Sequence, residues 1–305
     1  GVGDYRTVQF QNGEAVGGNG PGPISQSDVG YTVLDGEPVV VVNIFCSAAS
    51  FGGSARFSNL AVYDADLNLL SLENYHAGLP PQYGWMPLVN DMVVSGNTIT
   101  YTAMAIPVAA YGGTSTDYLN ATVTLTWNGQ EYVTTDIVYN APSGPVRAPD
   151  MDFMTALFAR AEEGDDDAIA PYVDASIIKR VQEGEQLIAE RDAITAAGGT
   201  PIGYDSLLGR AILAPEGGSL GGCNLIPPAG SYASFGDTHR YVDGGMYGGW
   251  GYDSDASRVH AGDFVCGVSF ASRPGDADQA FPVWWLVRMD EDGIPYVYAV
   301  GRNFS

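Results

Sequence analysis

The sequence predicts two domains: an all-β antiparallel domain over residues 1–147, then an α+β domain over residues 148–305. Three observations carry this. Ala121, Val123, Leu125 and Trp127 alternate with Thr122, Thr124 and Thr126, and Asn128-Gly129 turns the chain back into Tyr132–Tyr139, the pattern of a half-buried hairpin with a type I′ turn. Pro149–Gly199 is the only extended stretch with helical periodicity, and strand-and-turn sequence lies on both sides of it. Between them Asn140–Pro149, NAPSGPVRAP, carries prolines and no periodicity, so it reads as the linker.

In the first domain Asp4–Phe10 reads as a short strand, and Gln11–Asp28, rich in Gly, Pro, Asn and Ser, as a long loop. Strand pairs follow: Val29–Leu34 with Pro38–Cys46 across Asp35-Gly36, Phe57–Tyr63 with Leu67–Leu72 across Asp64–Asp66, and Met92–Ser95 with Thr98–Ile106 across Gly96-Asn97. Period-two alternation gives such a domain one buried face. Asp64, Asp66 and Asn68 imitate the opening of a calcium loop. The glycine and the distal glutamate of such a loop are absent, so a plain hairpin turn is expected.

The helices come next. Asp150 suits a helix start, and Phe153, Met154, Leu157, Phe158 and Ala161 share one face before Gly164 stops the helix in the left-handed conformation. Asp165, Asp166 and Asp167 open a second helix and read as a solvated, dipole-facing first turn, not a cation site. A third helix, Ala175–Ala197, is expected to bury Ile177, Ile178, Val181, Leu187, Ile188 and Ile194, with Gly184 as its weak point. Strands are then expected at Ala211–Leu213, Ser231–Phe235, His239–Val242 and Phe264–Phe270. A final hairpin, Val283–Met289 with Ile294–Val300, sets Trp285, Val287 and Met289 across from Tyr296, Tyr298 and Val300.

Composition narrows the function. The chain carries 36 acids against 13 bases, a net charge of −23, and both halves are acidic. No basic stripe exists to replace phosphate counterions, which argues against nucleic acid and disfavours anionic lipid surfaces. The longest apolar run, Val39–Phe45, is far too short to cross a bilayer, so no transmembrane segment is expected. Three cysteines, Cys46, Cys223 and Cys266, show no metal spacing; a Cys223–Cys266 disulfide and three reduced thiols are both open.

Two resemblances add to this. The order GEPVVVVNIFC, LAVYDADLNLLSL, MVVSGNTITYT, NATVTLTWNGQEYV, over Tyr31–Ile137, resembles the β domain of actinobacterial secreted lipoproteins of the LppP/LprE type. That resemblance implies an exported cell-envelope protein, secreted or lipid-anchored, and transfers no catalytic residue. Helices followed by long antiparallel strands ending in VWWLVRMDEDGIPYVYAV, over Asp150–Ser305, are similar to the nuclear-transport-factor-2-like family. That similarity implies a curved sheet with helices packed on it and a hollow between them, behind Trp285 and Tyr296. The broad loop Pro215–Gly262 departs from a compact member of that family.

The residues offering chemistry lie in that loop. Gly217–Gly221 satisfies the GxSxG expression, but Pro215 and Glu216 precede it and Pro227-Pro228 follow, so a glycine-rich loop is expected instead of a nucleophile elbow. Asp237, His239, Tyr241, Tyr247, Trp250, Tyr252, Asp253 and His260 form the candidate ligand-binding cluster. Aromatic faces interleaved with glycines stack on sugars or apolar rings, and the acids can fix hydroxyls. No helix presents His239 and His260 at i, i+4, so no metal site is assigned. The expectation is a non-catalytic protein that binds a small molecule, a glycan or an envelope protein, with no cofactor. The alternative is a hydrolase or isomerase acting on a sugar or cell-wall compound through acids and a His in the second domain's hollow.

Overall fold

The computed structural model describes residues 9–11, 14–16, 24–48, 55–74, 88–107, 118–200, 209–226, 250–251, 260–270 and 283–302. The chain divides into two compact units, one of residues 1–77, 81–106 and 118–141, the other of 78–80, 107–117 and 142–305. Antiparallel sheets dominate and helices are few, as the period-two patterning requires.

The first unit holds two meandering sheets. One runs β1 (Gln9–Gln11), β2 (Glu14–Val16), β3 (Ile24–Leu34), β4 (Glu37–Ala48), β5 (Ala55–Asp64) and β6 (Leu69–Asn74) in chain order. The other contains β7 (Leu88–Ser95), β8 (Thr98–Pro107), β9 (Tyr118–Trp127) and β10 (Tyr132–Ala141), and the chain just past the end of this unit adds the short strand β11 (Gly144–Arg147) in the order β11-β10-β9-β8-β7. The core draws Val41, Leu60 and Val62 from the first sheet and Ile99, Tyr101, Val123 and Tyr139 from the second. The sheets touch where Thr32 Oγ1 donates to Gly96 O at 2.7 Å and Trp127 Nε1 donates to Asp35 Oδ2 at 3.0 Å. Gly30 is glycine for a packing reason, because a Cβ there would collide with Val94.

Several expectations for this unit need correction. Gln11–Asp28 is not one loop: β2 lies within it and β3 begins at Ile24, paired with Cys46, because the apolar strand β4 needs a partner along its whole length. Asn128-Gly129 does not make a two-residue turn. Trp127 pairs with Tyr132, so four residues connect the strands, and Asn128 Oδ1 accepts from Gln130 N and Glu131 N. The linker is a hairpin, with β10 running to Ala141, Gly144 at φ +119° and β11 as its return strand.

In the second unit, α1 (Met151–Glu163) is capped by Asp150, whose carboxylate accepts from Asp152 N and Phe153 N, and stops at Gly164 with φ +83°. It buries Met154, Leu157, Phe158 and Ala161. Asp165 caps α2 (Asp166–Ile169), and Asp174 caps α3 (Ala175–Ala196). Contrary to expectation, Leu187 and Ile194 of α3 are exposed. The 3-10 helix Gly209–Ile212 covers α3 instead at Glu185 and Ile188, where a Cβ on Gly209 would sit 3.0–3.2 Å from both residues. That 3-10 helix also replaces the strand expected at Ala211–Leu213.

The sheet of this unit contains β12 (Gly218–Leu225), β13 (Trp250–Gly251), β14 (Phe264–Phe270), β15 (Val283–Met289) and β16 (Pro295–Arg302), in the order β12-β14-β15-β16-β13. The GxSxG stretch is thus not a loop: it opens strand β12, paired with β14. The strands expected at Ser231–Phe235 and His239–Val242 lie outside the described residues. A register shift after Leu286 changes the last hairpin, setting Trp285 opposite Val300, Val287 opposite Val297 and Arg288 opposite Tyr296. At the far edge of β16, Val297 N donates to Tyr172 O at 2.8 Å and Asp174 N donates to Val297 O at 2.9 Å, which hooks the start of α3 onto the sheet.

Candidate binding site

Of the candidate cluster, Asp237, His239, Tyr241, Tyr247, Tyr252 and Asp253 lie outside the described residues. Trp250 is placed by its backbone: in β13 it pairs with Arg302 of β16. His260 is exposed, and its backbone N–H, not its imidazole, makes the local contact, donating to Asp263 Oδ2 at 2.8 Å. The described residues of this stretch meet the sheet at the β13–β16 pairing and at the turn His260–Asp263.

Among the described residues, that turn contains the one buried charged side chain. Asp263 is 3% exposed. Arg288 Nε donates to Asp263 Oδ1 at 2.9 Å and Arg288 Nη2 donates to Oδ2 at 2.8 Å, a planar two-point pairing. Tyr298 Oη donates to Oδ2 at 2.8 Å, and the Arg288 guanidinium lies 4.8 Å above the Tyr298 ring. The hydrogen bonds to Asp263 hold the Arg288 pKa above its usual value, against a partial desolvation that works the other way. The positions follow from the fold: Gly262, at φ +96°, turns the chain into β14, while Arg288 and Tyr298 come from adjacent strands. Asp263 accepts from four donors, two of them on the Arg288 guanidinium, so its oxygens are engaged within the protein and are poorly placed to meet a substrate.

Sequence reading missed Asp263, Arg288 and Tyr298. One signal was available: Arg288 interrupts the apolar run VWWLV, and a cation there requires a carboxylate nearby.

The sheet face at Trp285, expected to wall a hollow, is packed. Trp285 is fully buried, its Nε1 donates to Leu213 O at 2.9 Å, and its ring centre lies 5.7 Å from that of Phe158 on α1. Tyr296 is exposed.

The other candidate acids have structural partners. Asp166 accepts from Arg210 Nη1 and Gln182 Nε2, each at 3.0 Å, and Arg210 also reaches Glu185 Oε1 and Ala161 O, tying the three helices to the 3-10 helix. Asp64 accepts from Asp66 N, Asn68 N and Asn68 Nδ2, so its carboxylate serves its own turn, and the Asn68 bonds lower its pKa most. Ser219 lies within a strand, in the wrong setting for a nucleophile at a strand-to-helix turn. Among the described residues no group of three or more His, Cys, Asp and Glu is placed to hold a metal ion, and no helix is long and apolar enough to cross a membrane. Cys223 and Cys266 stand opposite each other on β12 and β14 and are joined by a disulfide.

No protein-family model matches the chain, and no curated protein or solved structure matches it either.

Proposed function

We propose that the chain is an exported cell-envelope protein that binds a ligand or a partner through the loop around Trp250 and performs no catalysis. The observation that carries this reading is the Asp263–Arg288–Tyr298 group. Where the candidate stretch meets the sheet, the acid, the base and the phenol are bonded to one another, an arrangement that fixes the chain there and spends the carboxylate oxygens on the protein's own donors. The Cys223–Cys266 disulfide supports export, because such bonds persist in oxidising compartments. Three helices preceding an antiparallel sheet support a nuclear-transport-factor-2-like plan for the second unit, with the space at Trp285 filled.

The test is a titration of the isolated chain with soluble cell-wall glycans, following tryptophan fluorescence and amide shifts, with mass spectrometry of the glycan afterwards. Saturable binding with shifts confined to residues 237–260 and an unchanged glycan is expected. A glycan that is cleaved or isomerised, at a rate abolished by Asp253→Asn or His260→Ala, would establish the enzyme instead. Export is checked on protein from its own cells: one alkylatable thiol of the three after denaturation is expected, and three would refute an oxidising compartment.

A further inference from the structure

The outward face of the six-stranded sheet in the first unit bears a continuous apolar surface. Residues paired across antiparallel strands share a face, and the register sets two rows, Val29–Val42–Ala61–Leu72 and Tyr31–Val40–Tyr63–Leu69, with Val33 beside Pro38 as a shorter third. The opposite parity is core, where Val41, Leu60 and Val62 are fully buried; in the outward rows Ala61 is covered by its larger neighbours, Val40, Val42 and Tyr63 are half-buried, and the flanking strands β3 and β6 carry the exposed side chains. On the outward side Tyr31 is 78% exposed, and Val29, Val33, Leu69, Leu70 and Leu72 are between 38% and 57% exposed. No side chain in these rows is charged at neutral pH, in a chain of net charge −23. Those six side chains present on the order of 600 Å² of surface, at the upper end of what a monomer leaves open and approaching the ~800 Å² each partner gives a stable interface.

We propose that this face docks a second copy of the chain, sheet on sheet about a two-fold axis. It concerns the first unit and is independent of the binding reading above. The face is uncharged and apolar, so what it requires of a partner is another face like itself, and a second copy brings one. Asp35, Glu37, Asp64 and Asp66 stand at the end of the sheet where β3 turns to β4 and β5 to β6, while Asp28 and Glu73, beside Val29 and Leu72, pair on the opposite parity with Asn43 and Leu60. A two-fold axis lying in the interface plane and running across the strands carries those ends to opposite sides of the interface, so like charges do not meet. The remaining negative charge opposes the encounter of two copies, so added salt strengthens this dimer, whereas it would weaken the hold on a basic partner drawn to the acidic end.

Sedimentation of the full chain between about 1 and 100 µM, at about 10 mM and about 0.5 M salt, tests this. The mass is expected to rise from 32.2 kDa to twice that value with concentration, at lower concentration in the higher salt. Tyr31→Glu combined with Leu72→Glu is expected to remain at 32.2 kDa with unchanged circular dichroism. If that pair lowers the melting temperature, Tyr31→Ser, which removes the most exposed ring without adding charge, is read the same way. A wild-type chain that stays monomeric at the highest concentration in both salts overturns the proposal, as does a folded variant that associates like wild type. So does a monomer that takes up a Lys-rich amphipathic peptide at low salt and releases it at high salt, since that result assigns the face to a basic partner.

Discussion

Asp263 and Gly30 each do one job, and single substitutions separate those jobs from their surroundings. Asp263→Asn keeps the volume and removes the charge that faces Arg288, leaving a partly buried guanidinium without its counter-ion. Arg288 is 41% exposed and recovers part of that loss from water, so the cost belongs at the lower end for a broken pair, about 2 kcal/mol, read as a shift in the urea midpoint. Replacing both partners, Asp263→Asn with Arg288→Met, should return much of it, because no uncompensated charge then remains. Gly30→Ala forces a methyl into Val94 and should destabilise by about 1–3 kcal/mol. Adding Val94→Ala to it should cost less than the two changes summed, since the second makes room for the first.

Helices α1 to α3 and the 3-10 helix are held together by Arg210, and the pH response of that node has a definite sign. Burial is the largest single influence on Asp166 and raises its pKa. The hydrogen bonds from Gln182 and Arg210, with the Arg210 charge, together outweigh it, so the folded pKa lies below the ordinary 3.8. The stability Asp166 adds is therefore fully present above the unfolded value and is lost as pH falls through the folded one. Asp166→Asn should cost about 1–2 kcal/mol at pH 7, and the gap from wild type should narrow below about pH 4 and close in stronger acid, as urea titrations at each pH would show. At this scale the local chemistry was legible. Asp150, Gly164 and Asp165 are caps that act within a few residues, so the sequence states them directly. What was not legible depends on distant partners. GGSLGG has poor strand propensity and becomes β12 because β14 supplies a ladder for it. The periodicity of α3 promises burial for Leu187 and Ile194, yet the packing that would cover them ends near Ile188. The Asp263–Arg288–Tyr298 group joins residues from three strand ends and regions, and only the placement of Arg288 in an apolar run hinted at it.

Both bonded cysteines belong to one of the two compact units, so the disulfide should stabilise that unit alone. Cys223 and Cys266 are 43 residues apart, and closing a loop of that length in the unfolded chain is worth about 4 kcal/mol in the chain-entropy model. Strand pairing already sets the two residues opposite each other on β12 and β14. Cys223→Ser with Cys266→Ser is expected to lower the unfolding free energy of the second unit by about that amount and to leave the transition of the first unit in place. Calorimetry of wild type with and without reductant gives the same comparison without mutation: one transition moves down and the other stays. If both transitions move together, the units unfold as one cooperative body, and the first owes part of its stability to a bond it does not contain.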